Sequence, residues 1–382
     1  MGVWVNIRIC LLICLVLALG GCASGARSAF DAQDREGARP MGLVSAPGHP
    51  IRVYLDARDR AALFQQAFRE GVPVGPDGRL DFIALSGGGS NGAFTAGLMK
   101  GWTETGERPD FEVVTGVSTG ALAAPFVFLG PDYDDELADA YTGGAAAGLL
   151  QPQGLAALVG SGIYRAEPLR ALVERYVDEA LLAAVAAEYA KGRVLLVATT
   201  DLDSQRGVSW DLGAIATQAS PDALALFRNV LIASASIPGA FPPVLIPSDN
   251  AGLAFEEMHV DGGVTTPFLA VPETLWSFRE PSGTLRAARF YVVVNGRTNP
   301  SFAITRDTPQ GVLGRSIDVL LRASLVTTLA GNRAFADHND LFFRYAALPD
   351  DYEVSALDFS VESMSAVYEV GRQGAITGAA WR

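Results

Sequence analysis

The sequence predicts an α/β fold in which a mainly parallel sheet carries helices on both faces. Between residues 81 and 130, short runs rich in β-branched and aromatic residues alternate with segments long enough for helices. This alternation is typical of βαβ units. The later runs RVLLVATT (193–200) and FYVVVN (290–295) are rich in β-branched residues, as strands are when both faces of a parallel sheet are covered. The expected architecture is therefore a three-layer α/β/α sandwich with a mainly parallel central sheet.

The individual elements follow from the turn residues and the apolar spacing. In chain order, the first predicted elements are a helix over 58–70, a strand over 81–86, a helix over 92–103, a strand over 111–115 and a helix from about 119. Residues 208–212 are expected to add an antiparallel edge strand. Two long helices, over 166–190 and 316–336, have apolar residues at helical spacing and are expected to cover the sheet. The Ala-rich stretch 138–162 fits either a mobile cap over a site or a loosely packed helix, and a helix near 363–371 is expected to pack on the sheet or contact a partner.

The first residues are typical of a bacterial lipoprotein signal. Arg8 precedes a short apolar run, Ile9–Leu19, which two glycines separate from Cys22. The run is shorter than the roughly 20 apolar residues that a transmembrane helix needs. The sequence LGGC matches the pattern in which the cysteine is acylated and becomes the new N-terminus. We therefore expect residues 1–21 to be a signal peptide, the alternative being an ordinary cleaved signal with a chance cysteine.

Composition narrows the possibilities for the rest of the chain. Residues 22–50 mix small, polar and proline residues with no apolar period, which predicts a disordered, flexible tether. Residues 51–382 are expected to form one domain, since 49% of the chain is apolar and supports a large core. The formal net charge is −13 and no run of Lys or Arg occurs, which argues against a nucleic-acid partner. Because Cys10 and Cys14 would leave with the signal, no disulfide or thiolate site is expected.

The first motif that indicates chemistry is LSGGGSNGAFTAG (85–97), where a predicted strand gives way to a helix. Three glycines leave backbone N–H groups bare beside a helix N-terminus, which suits the loop to holding a negative oxygen. Gly87, Gly89 and Gly92 also fit the dinucleotide pattern G-x-G-x-x-G, but that pattern requires an acidic residue at the far end of the next strand. Asp110 and Glu112 instead lie at the start of that strand, and its far end is Thr115-Gly116. The dinucleotide alternative is therefore disfavoured, while a purely structural turn stays open.

The second motif is GVSTG (116–120), again at a strand-to-helix junction. A serine in such a sharp turn presents its hydroxyl clear of the sheet, and Gly116 and Gly120 avoid clashes with the neighbouring elements. Adjacent parallel strands would place this turn and the triple-glycine loop at the same edge of the sheet, where open α/β folds bind ligands. Ser118 is therefore a candidate nucleophile facing an anion-stabilising loop; the alternative is a serine that only caps a helix.

A nucleophilic serine needs a base. His49 lies in the predicted tether, whereas His259 and His338 both follow the serine, so a Ser118/Asp261/His338 triad in the α/β-hydrolase order is possible. Asp261 is the better candidate because Gly262 and Gly263 form a sharp turn that would present its carboxylate at a strand end. A partly desolvated carboxylate within hydrogen-bond reach can act as general base to a serine. The alternative role for Asp261 is an ordinary β-turn aspartate.

These three motifs, in this order and with these separations, resemble the patatin-like phospholipases. The stretch ASASIPGAFPP (233–243) is similar to a further block of that family, and the resemblance covers residues 81–297 well. It implies an α/β/α sandwich that acts on lipid esters. Many relatives carry a basic residue where this sequence has Ser90-Asn91, so a preference for a phosphorylated head group is not implied.

The resemblance also implies the role of each site residue. Ser118 is similar to the family's nucleophile and Asp261 to its base. The backbone N–H groups of Gly87, Gly88 and Gly89 are similar to its oxyanion hole.

The function predicted from the sequence is a serine lipid acyl hydrolase of the phospholipase A or lysophospholipase type, which forms an acyl-enzyme and needs no metal or other cofactor. The expected partners are a membrane lipid or lysolipid substrate and the membrane itself, reached through a lipid anchor on Cys22. Ala23 and Ser24 lack the aspartate that retains many lipoproteins in the inner membrane, which favours the outer membrane of a Gram-negative bacterium. The alternatives are an esterase with the His338 triad and a lipid-binding lipoprotein without turnover.

Overall fold

The centre of the fold is one mixed ten-stranded sheet. The computed structural model describes residues 27–45, 50–56, 74–154, 157, 160–271, 273–276, 288–352 and 355–382. The predicted signal peptide, Cys22 and the predicted helix over 58–70 lie outside these residues. The strands are β1 (Arg39–Pro40), β2 (Arg52–Tyr54), β3 (Asp81–Leu85), β4 (Val113–Val117), β5 (Val194–Asp201), β6 (Arg206–Asp211), β7 (Val244–Asn250), β8 (Leu253–Asp261), β9 (Arg289–Val294) and β10 (Phe342–Ala347).

Five neighbouring strands of this sheet are parallel. The order β1-β7-β8-β5-β4-β3-β9-β10 runs through the sheet, and the stretch from β5 to β10 is parallel throughout. The antiparallel strands β8, β7 and β1 continue the sheet beyond β5, while β6 and β2 form a further antiparallel branch from β5. The predicted antiparallel strand over 208–212 is thus confirmed as β6, although it lies between β5 and β2.

The helices are α1 (Ala32–Arg35), α2 (Gly92–Thr105), α3 (Thr119–Leu129), α4 (Asp134–Thr142), α5 (Glu167–Tyr176), α6 (Glu179–Tyr189), α7 (Leu212–Ala216), α8 (Pro221–Ser234), α9 (Pro309–His338) and α10 (Val361–Ile376). The single helix predicted over 166–190 is wrong in one respect, because it is divided into α5 and α6. Val177 leaves the helical conformation, and the Asp178 side chain accepts the N–H of Leu181 at 2.9 Å, which caps a new helix.

Alternate residues of the central strands enter two different cores, which confirms the three-layer sandwich. In β3, Ile83 and Leu85 belong to the large core beneath α2, α3 and α10, whereas Ala84 belongs to a second core with Leu329 of α9. Strand side chains alternate between the faces of a sheet, so α9 covers the face opposite α2. The helix predicted near 363–371 is α10, which packs against α2 with Gly371 in close contact with the backbone of that helix.

Only the second half of α9 covers the sheet as expected. Thr308 caps the helix by accepting the N–H of Gly311, and Pro309 occupies the first turn, so the helix begins before the predicted residue 316. Leu329 and Phe335 are buried, but the described side chains between 312 and 324 are exposed or half-buried. The apolar spacing of this segment therefore does not reflect burial.

The Ala-rich stretch 138–162 contains neither one long helix nor one continuous loop. It holds the end of α4, a 3-10 turn over Ala145–Gly148 and, at Pro152, an isolated bridge to Tyr164. Ala146 and Leu149 are buried in the large core.

The expectation of a disordered tether is wrong for residues 27–45, which pack on the body. The ring of Phe30 stacks on Phe255 with centroids 4.4 Å apart, and Arg35 donates to Asp201 at 2.7 Å. Strand β1 adds an antiparallel edge to β7. The attachment uses isolated aromatic and arginine side chains and a two-residue strand, so it leaves no periodic pattern in the sequence. No helix within the described ranges combines the length and apolar character needed to cross a membrane.

Candidate active site

The triple-glycine loop and the GVSTG turn lie side by side at one edge of the sheet, as expected. Leu85 at the end of β3 is in register with Gly116 near the end of β4, and each strand then leads into its loop at the edge that we call the carboxyl edge. A Cβ added to Gly87 would lie 3.1 Å from the Cβ of Ser118. The two loops are therefore in contact.

Ser118 has a strained backbone, which its surroundings hold in place. It lies between β4 and α3 with φ 56° and ψ −126°, in a region that residues with a side chain rarely adopt. The N–H of Ser118 donates to Oγ of Ser234 at 2.9 Å, and the Ser234 hydroxyl donates in turn to the carbonyl of Ala198 at 2.7 Å. This chain of hydrogen bonds ties the turn to the end of α8 and to the neighbouring strand β5.

Asp261 meets Ser118 from the end of β8. Its Oδ2 accepts the Ser118 hydroxyl at 2.6 Å, and its Oδ1 accepts the N–H of Gly263 at 2.7 Å. The N–H of Asp261 donates to the carbonyl of Ser236 at 3.0 Å, which fixes the backbone of the turn. Ser118 and Asp261 are each only 5% exposed. The two candidate residues, 143 positions apart in the chain, thus form a direct and buried hydrogen bond.

The electrostatic environment of Asp261 favours proton uptake. Burial raises the pKa of its carboxyl from 3.8 to about 6, although the hydrogen bonds from Ser118 and Gly263 act in the opposite direction. Removing water from a carboxylate disfavours its charged form and so makes it a stronger base. A carboxylate with this pKa is ionised at neutral pH and can still take up a proton from a hydroxyl during a reaction.

The triple-glycine loop offers backbone donors next to Ser118. Among the described residues, the N–H groups of Gly88 and Gly89 have no hydrogen-bond acceptor, whereas that of Gly87 donates to the carbonyl of Pro267 at 3.3 Å. A Cβ on Gly88 would lie only 2.0 Å from the carbonyl oxygen of Asn295, so this close approach requires glycine. The loop thus presents two free amides, and a third that is held by a long hydrogen bond.

Part of the sequence matches a known protein family. Residues 83–272 match the model of the family described as patatin-like phospholipase. Residues 83–272 are a patatin-like phospholipase domain. The crystal structure of VipD from Legionella pneumophila is similar over 79% of this chain and 67% of that chain, with 12% sequence identity and a TM-score of 0.42. No curated protein matches the sequence.

The other motif glycines of this patatin-like domain lie at backbone contacts. A Cβ on Gly116 would approach the carbonyl oxygen of Gly120 to 2.5 Å, and one on Gly120 would approach that of Leu85 to 2.4 Å. A Cβ on Gly92 would lie 2.1 Å from the hydroxyl oxygen of Thr119, and one on Gly262 would lie 2.4 Å from the carbonyl oxygen of Ala198. Gly263 instead contributes its N–H to Asp261. Most of these glycines therefore permit the turns to pack closely.

The structure does not bring His338 to the site. His338 is the last residue of α9, and its Nδ1 lies 2.7 Å from the carbonyl of Ala334. It precedes Phe342, the first residue of β10, which is in register with Arg289, the first residue of β9. This is the amino edge of the parallel strands, about 15 Å or more from the carboxyl edge at 3.3 Å per strand residue. A triad with His338 is therefore wrong.

The second histidine, His259, belongs to a buried network beneath the site. Its Nδ1 lies 2.9 Å from Oγ1 of Thr199, and its ring packs edge-on against Trp210. Glu257 lies nearby, with one oxygen 3.6 Å from Nε2 of His259, and it is paired with the buried guanidinium of Arg52. Burial favours a high pKa for Glu257, but its interactions with His259 and Arg52 outweigh burial and lower that pKa to about 2.

Two further side chains support the site and were not identified from the sequence. Ser234 fixes the N–H of Ser118, as described above. Asn295 follows β9 and holds the strand before the glycine loop: its side-chain amide donates to the carbonyl of Ser86 at 2.8 Å, and its own N–H donates to the Ser86 hydroxyl at 2.9 Å. The Thr95 hydroxyl donates to Oδ1 of Asn295 at 2.7 Å. The available signals were the ASASIPGAFPP block, which contains Ser234, and the position of Asn295 at a strand end.

A cavity of about 240 Å³ borders the candidate site. Its lining comes from the ranges 166–170, 229–236 and 241–245. Ser236, whose carbonyl accepts the N–H of Asp261, is part of that lining, but Ser118 and Asp261 are not. Within the part of the chain that the structure describes, no group of three or more His, Cys, Asp or Glu residues is arranged to hold a metal ion.

Proposed function

We propose that this chain is a serine lipid acyl hydrolase in which Ser118 and Asp261 form a catalytic dyad. The observation that supports the proposal is the buried 2.6 Å hydrogen bond from the Ser118 hydroxyl to the Asp261 carboxylate. The raised pKa of Asp261, about 6, suits a general base that works near neutral pH. The match of residues 83–272 to the patatin-like phospholipase family supports a lipid ester as the substrate.

The proposed reaction begins when Asp261 takes the hydroxyl proton of Ser118 as Oγ attacks the acyl carbon of the ester. The tetrahedral oxyanion that forms is held by the N–H groups of the triple-glycine loop, with Gly88 and Gly89 as the free donors and Gly87 joining if its long bond to Pro267 breaks. Asp261 then returns the proton to the leaving alcohol. The products of this first half-reaction are an alcohol, such as a lysolipid, and an acyl group on Ser118.

Deacylation uses the same carboxylate a second time. Asp261 takes a proton from a water molecule as its oxygen attacks the acyl-enzyme, and the glycine-loop amides again hold the oxyanion. Collapse of this intermediate releases the fatty acid and returns the proton to Ser118. Two side chains and one loop are therefore sufficient for the complete cycle.

The test compares three variants in hydrolysis of a short-chain nitrophenyl ester and in labelling by a fluorophosphonate. Ser118→Ala is expected to abolish both, and Asp261→Asn to lower hydrolysis by about 10²–10⁴-fold, the usual loss on removing a general base. His338→Ala is the matched control and is expected to retain wild-type activity. Near wild-type hydrolysis by Asp261→Asn would overturn the dyad. If the folded wild-type protein neither hydrolyses the ester nor reacts with the fluorophosphonate, the protein is a lipid-binding protein without turnover.

We also propose that Cys22 carries the lipid anchor and that the protein belongs to the outer membrane of a Gram-negative bacterium. The support is the LGGC pattern with Ala23 and Ser24 after the cysteine. Mass spectrometry of the mature protein is expected to find an acylated Cys22 at the N-terminus. An unmodified N-terminus at or near this residue would refute the anchor, without affecting the proposed dyad.

A further inference from the structure

The first part of α9 projects beyond the sheet at the carboxyl edge, which is the edge where Ser118 lies. The helix has 30 residues and is therefore about 45 Å long at 1.5 Å per residue. The five parallel strands have only five to eight residues and span about 16–26 Å at 3.3 Å per residue. Phe335 packs in a core with Leu80 and Phe290 near the amino edge, and Leu329 packs with Val294 near the carboxyl edge. Followed backwards, the helix leaves the sheet at the carboxyl edge.

This projecting segment is apolar and exposed. We name residues 302–324 the apolar arm. The loop before the helix contributes Phe302 at 91% exposure and Ile304 at 89%. Within this arm, the large exposed apolar side chains of the helix are Val312, Leu313, Ile317, Val319, Leu320 and Leu321. Contiguous exposed apolar surface of this kind is typical of a membrane or protein interaction site.

The apolar residues face several directions at once. Val319, Leu320 and Leu321 are consecutive, so they point in directions about 100° apart around the helix, yet they are 48%, 67% and 42% exposed. A flat protein partner covers one side of a helix. An apolar medium that surrounds the helix, such as the acyl region of a bilayer, covers all three.

The charged residues of the apolar arm fit the head groups of lipids. Arg306, Arg315 and Arg322 outnumber Asp307 and Asp318, so this segment is slightly positive in a chain with a formal net charge of −13. Arg315 and Arg322 are seven residues apart and therefore lie on the same face, two turns from each other. Arg315 donates to the carbonyl of Ser301, whereas the long side chains of Arg306 and Arg322 can extend to phosphates while the aliphatic and aromatic residues enter the acyl region.

The rim of the candidate site also exposes apolar side chains. Val264, three residues after Asp261, is 49% exposed, and Leu357, next to the Ala356 that contacts Gly89, is 46% exposed. The carboxyl edge and the apolar arm thus expose apolar side chains on the side of the molecule where Ser118 lies.

We propose that the apolar arm and the rim of the carboxyl edge form a docking surface for a lipid bilayer, which brings the acyl ester to Ser118. The proposal rests on the proposed lipid hydrolase function for its substrate, but the docking itself needs only the exposed surface. Because the surface is mainly apolar, the interaction is expected to persist at high salt, where ionic attraction is screened.

The first test separates docking from chemistry. Leu313→Gln/Leu320→Gln is compared with Val74→Gln/Ile376→Gln, a control at two exposed apolar positions of the amino edge. Cys22→Ser is included in every chain, so that no acyl anchor contributes and the remaining leader is the same throughout. The rate of the arm variant on phosphatidylcholine vesicles is expected to fall by about tenfold or more, since two leucine side chains that would insert into the lipid are removed. Its rate on soluble nitrophenyl butyrate is expected to be unchanged. The control variant is expected to retain both rates.

The second test does not depend on turnover. A full chain with Ser118→Ala and serine at its three native cysteine positions carries an environment-sensitive dye at Leu320→Cys. Phosphatidylcholine vesicles are expected to shift the dye emission to the blue, and a dye at Ile376→Cys is expected not to respond. A dye shift without lipid hydrolysis in the active chain would support docking and count against the proposed function. Equal vesicle rates for arm and control variants with no dye shift, or a concentration-dependent dimer that only the arm variant loses, would overturn the docking surface.

Discussion

Oγ of Ser118 lies 2.6 Å from Oδ2 of Asp261, in a site where each residue is only 5% exposed. Since burial raises the pKa of Asp261 to about 6, the carboxyl is protonated below this pH and cannot accept the serine proton. We expect kcat/KM for a nitrophenyl ester to rise about tenfold per pH unit up to about pH 6 and then to level off. A rate profile measured from pH 4 to 9 checks this. A flat profile down to pH 4.5 would exclude a base with this pKa.

Because the pKa of Asp261 is raised in the folded protein, its charged form destabilises the folded state at neutral pH. The folded pKa of about 6 is above the unfolded value of 3.8, so the folded state holds more protons between these values and the free energy of unfolding falls as pH rises through this window. We expect Asp261→Asn to be more stable than wild type by about 2–3 kcal/mol at pH 8, the equivalent of two pKa units, and the difference to disappear near pH 4. Urea denaturation of both chains at several pH values measures it. A constant difference across the range would contradict a buried, titrating carboxylate.

Ser234 is expected to hold Ser118, the proposed nucleophile, in its strained conformation. Ser234→Ala leaves the buried N–H of Ser118 without its acceptor, which costs about 1–3 kcal/mol, and allows the positive φ of Ser118 to relax. The expected result is a lower Tm and a decrease in kcat of about tenfold. Ser236→Ala is the matched control, because the Ser236 hydroxyl donates to the carbonyl of Ile232 and not to the turn. Equal kcat values for the two variants would show that Ser234 has no positioning role.

Gly88 is expected to tolerate no side chain. In Gly88→Ala the new Cβ would lie 2.0 Å from the backbone carbonyl oxygen of Asn295. The N–H and side-chain amide of Asn295 both donate to Ser86, so this residue cannot move without breaking those bonds. We expect loss of fluorophosphonate labelling and a destabilisation of about 3 kcal/mol or more. Gly296→Ala is the control, since its Cβ would meet no atom within 4 Å. Wild-type labelling by Gly88→Ala would mean that the loop relaxes and that its close contact is not required.

The carboxyl edge could be predicted from the sequence because local rules determine it. Glycine turns after β-branched runs predict where strands end, and parallel strands bring those ends together. This placed Ser118 beside the triple-glycine loop correctly. The hydrogen bonds of Ser234 and Asn295 could not be predicted, because they connect residues 116 and 209 positions apart and depend on how α8 and β9 pack.

Apolar spacing alone proved ambiguous in α9. Periodic leucine and valine predict a helix, and the helix exists, but the same pattern also predicts a buried face over its whole length. Burial depends on where the sheet ends, and the sheet covers only the turns around Leu329 and Phe335. The opposite error occurred at residues 27–45, where scattered contacts such as Phe30 on Phe255 attach a segment that has no period at all.

That attachment predicts resistance to proteolysis. Trypsin is expected not to cleave after Arg35 in the native protein, because the Arg35 side chain is only 13% exposed and is paired with Asp201. Phe30→Ala removes the ring that stacks on Phe255 and is expected to lower the local opening free energy by about 1–3 kcal/mol, which increases cleavage after Arg35 by about tenfold or more. Ser28→Ala, at an exposed position two residues earlier, is expected to leave the rate unchanged. Mass spectrometry of timed digests measures the cleavage rates of the variants and the wild type. Rapid cleavage after Arg35 in the wild-type protein would support the original expectation of a flexible tether.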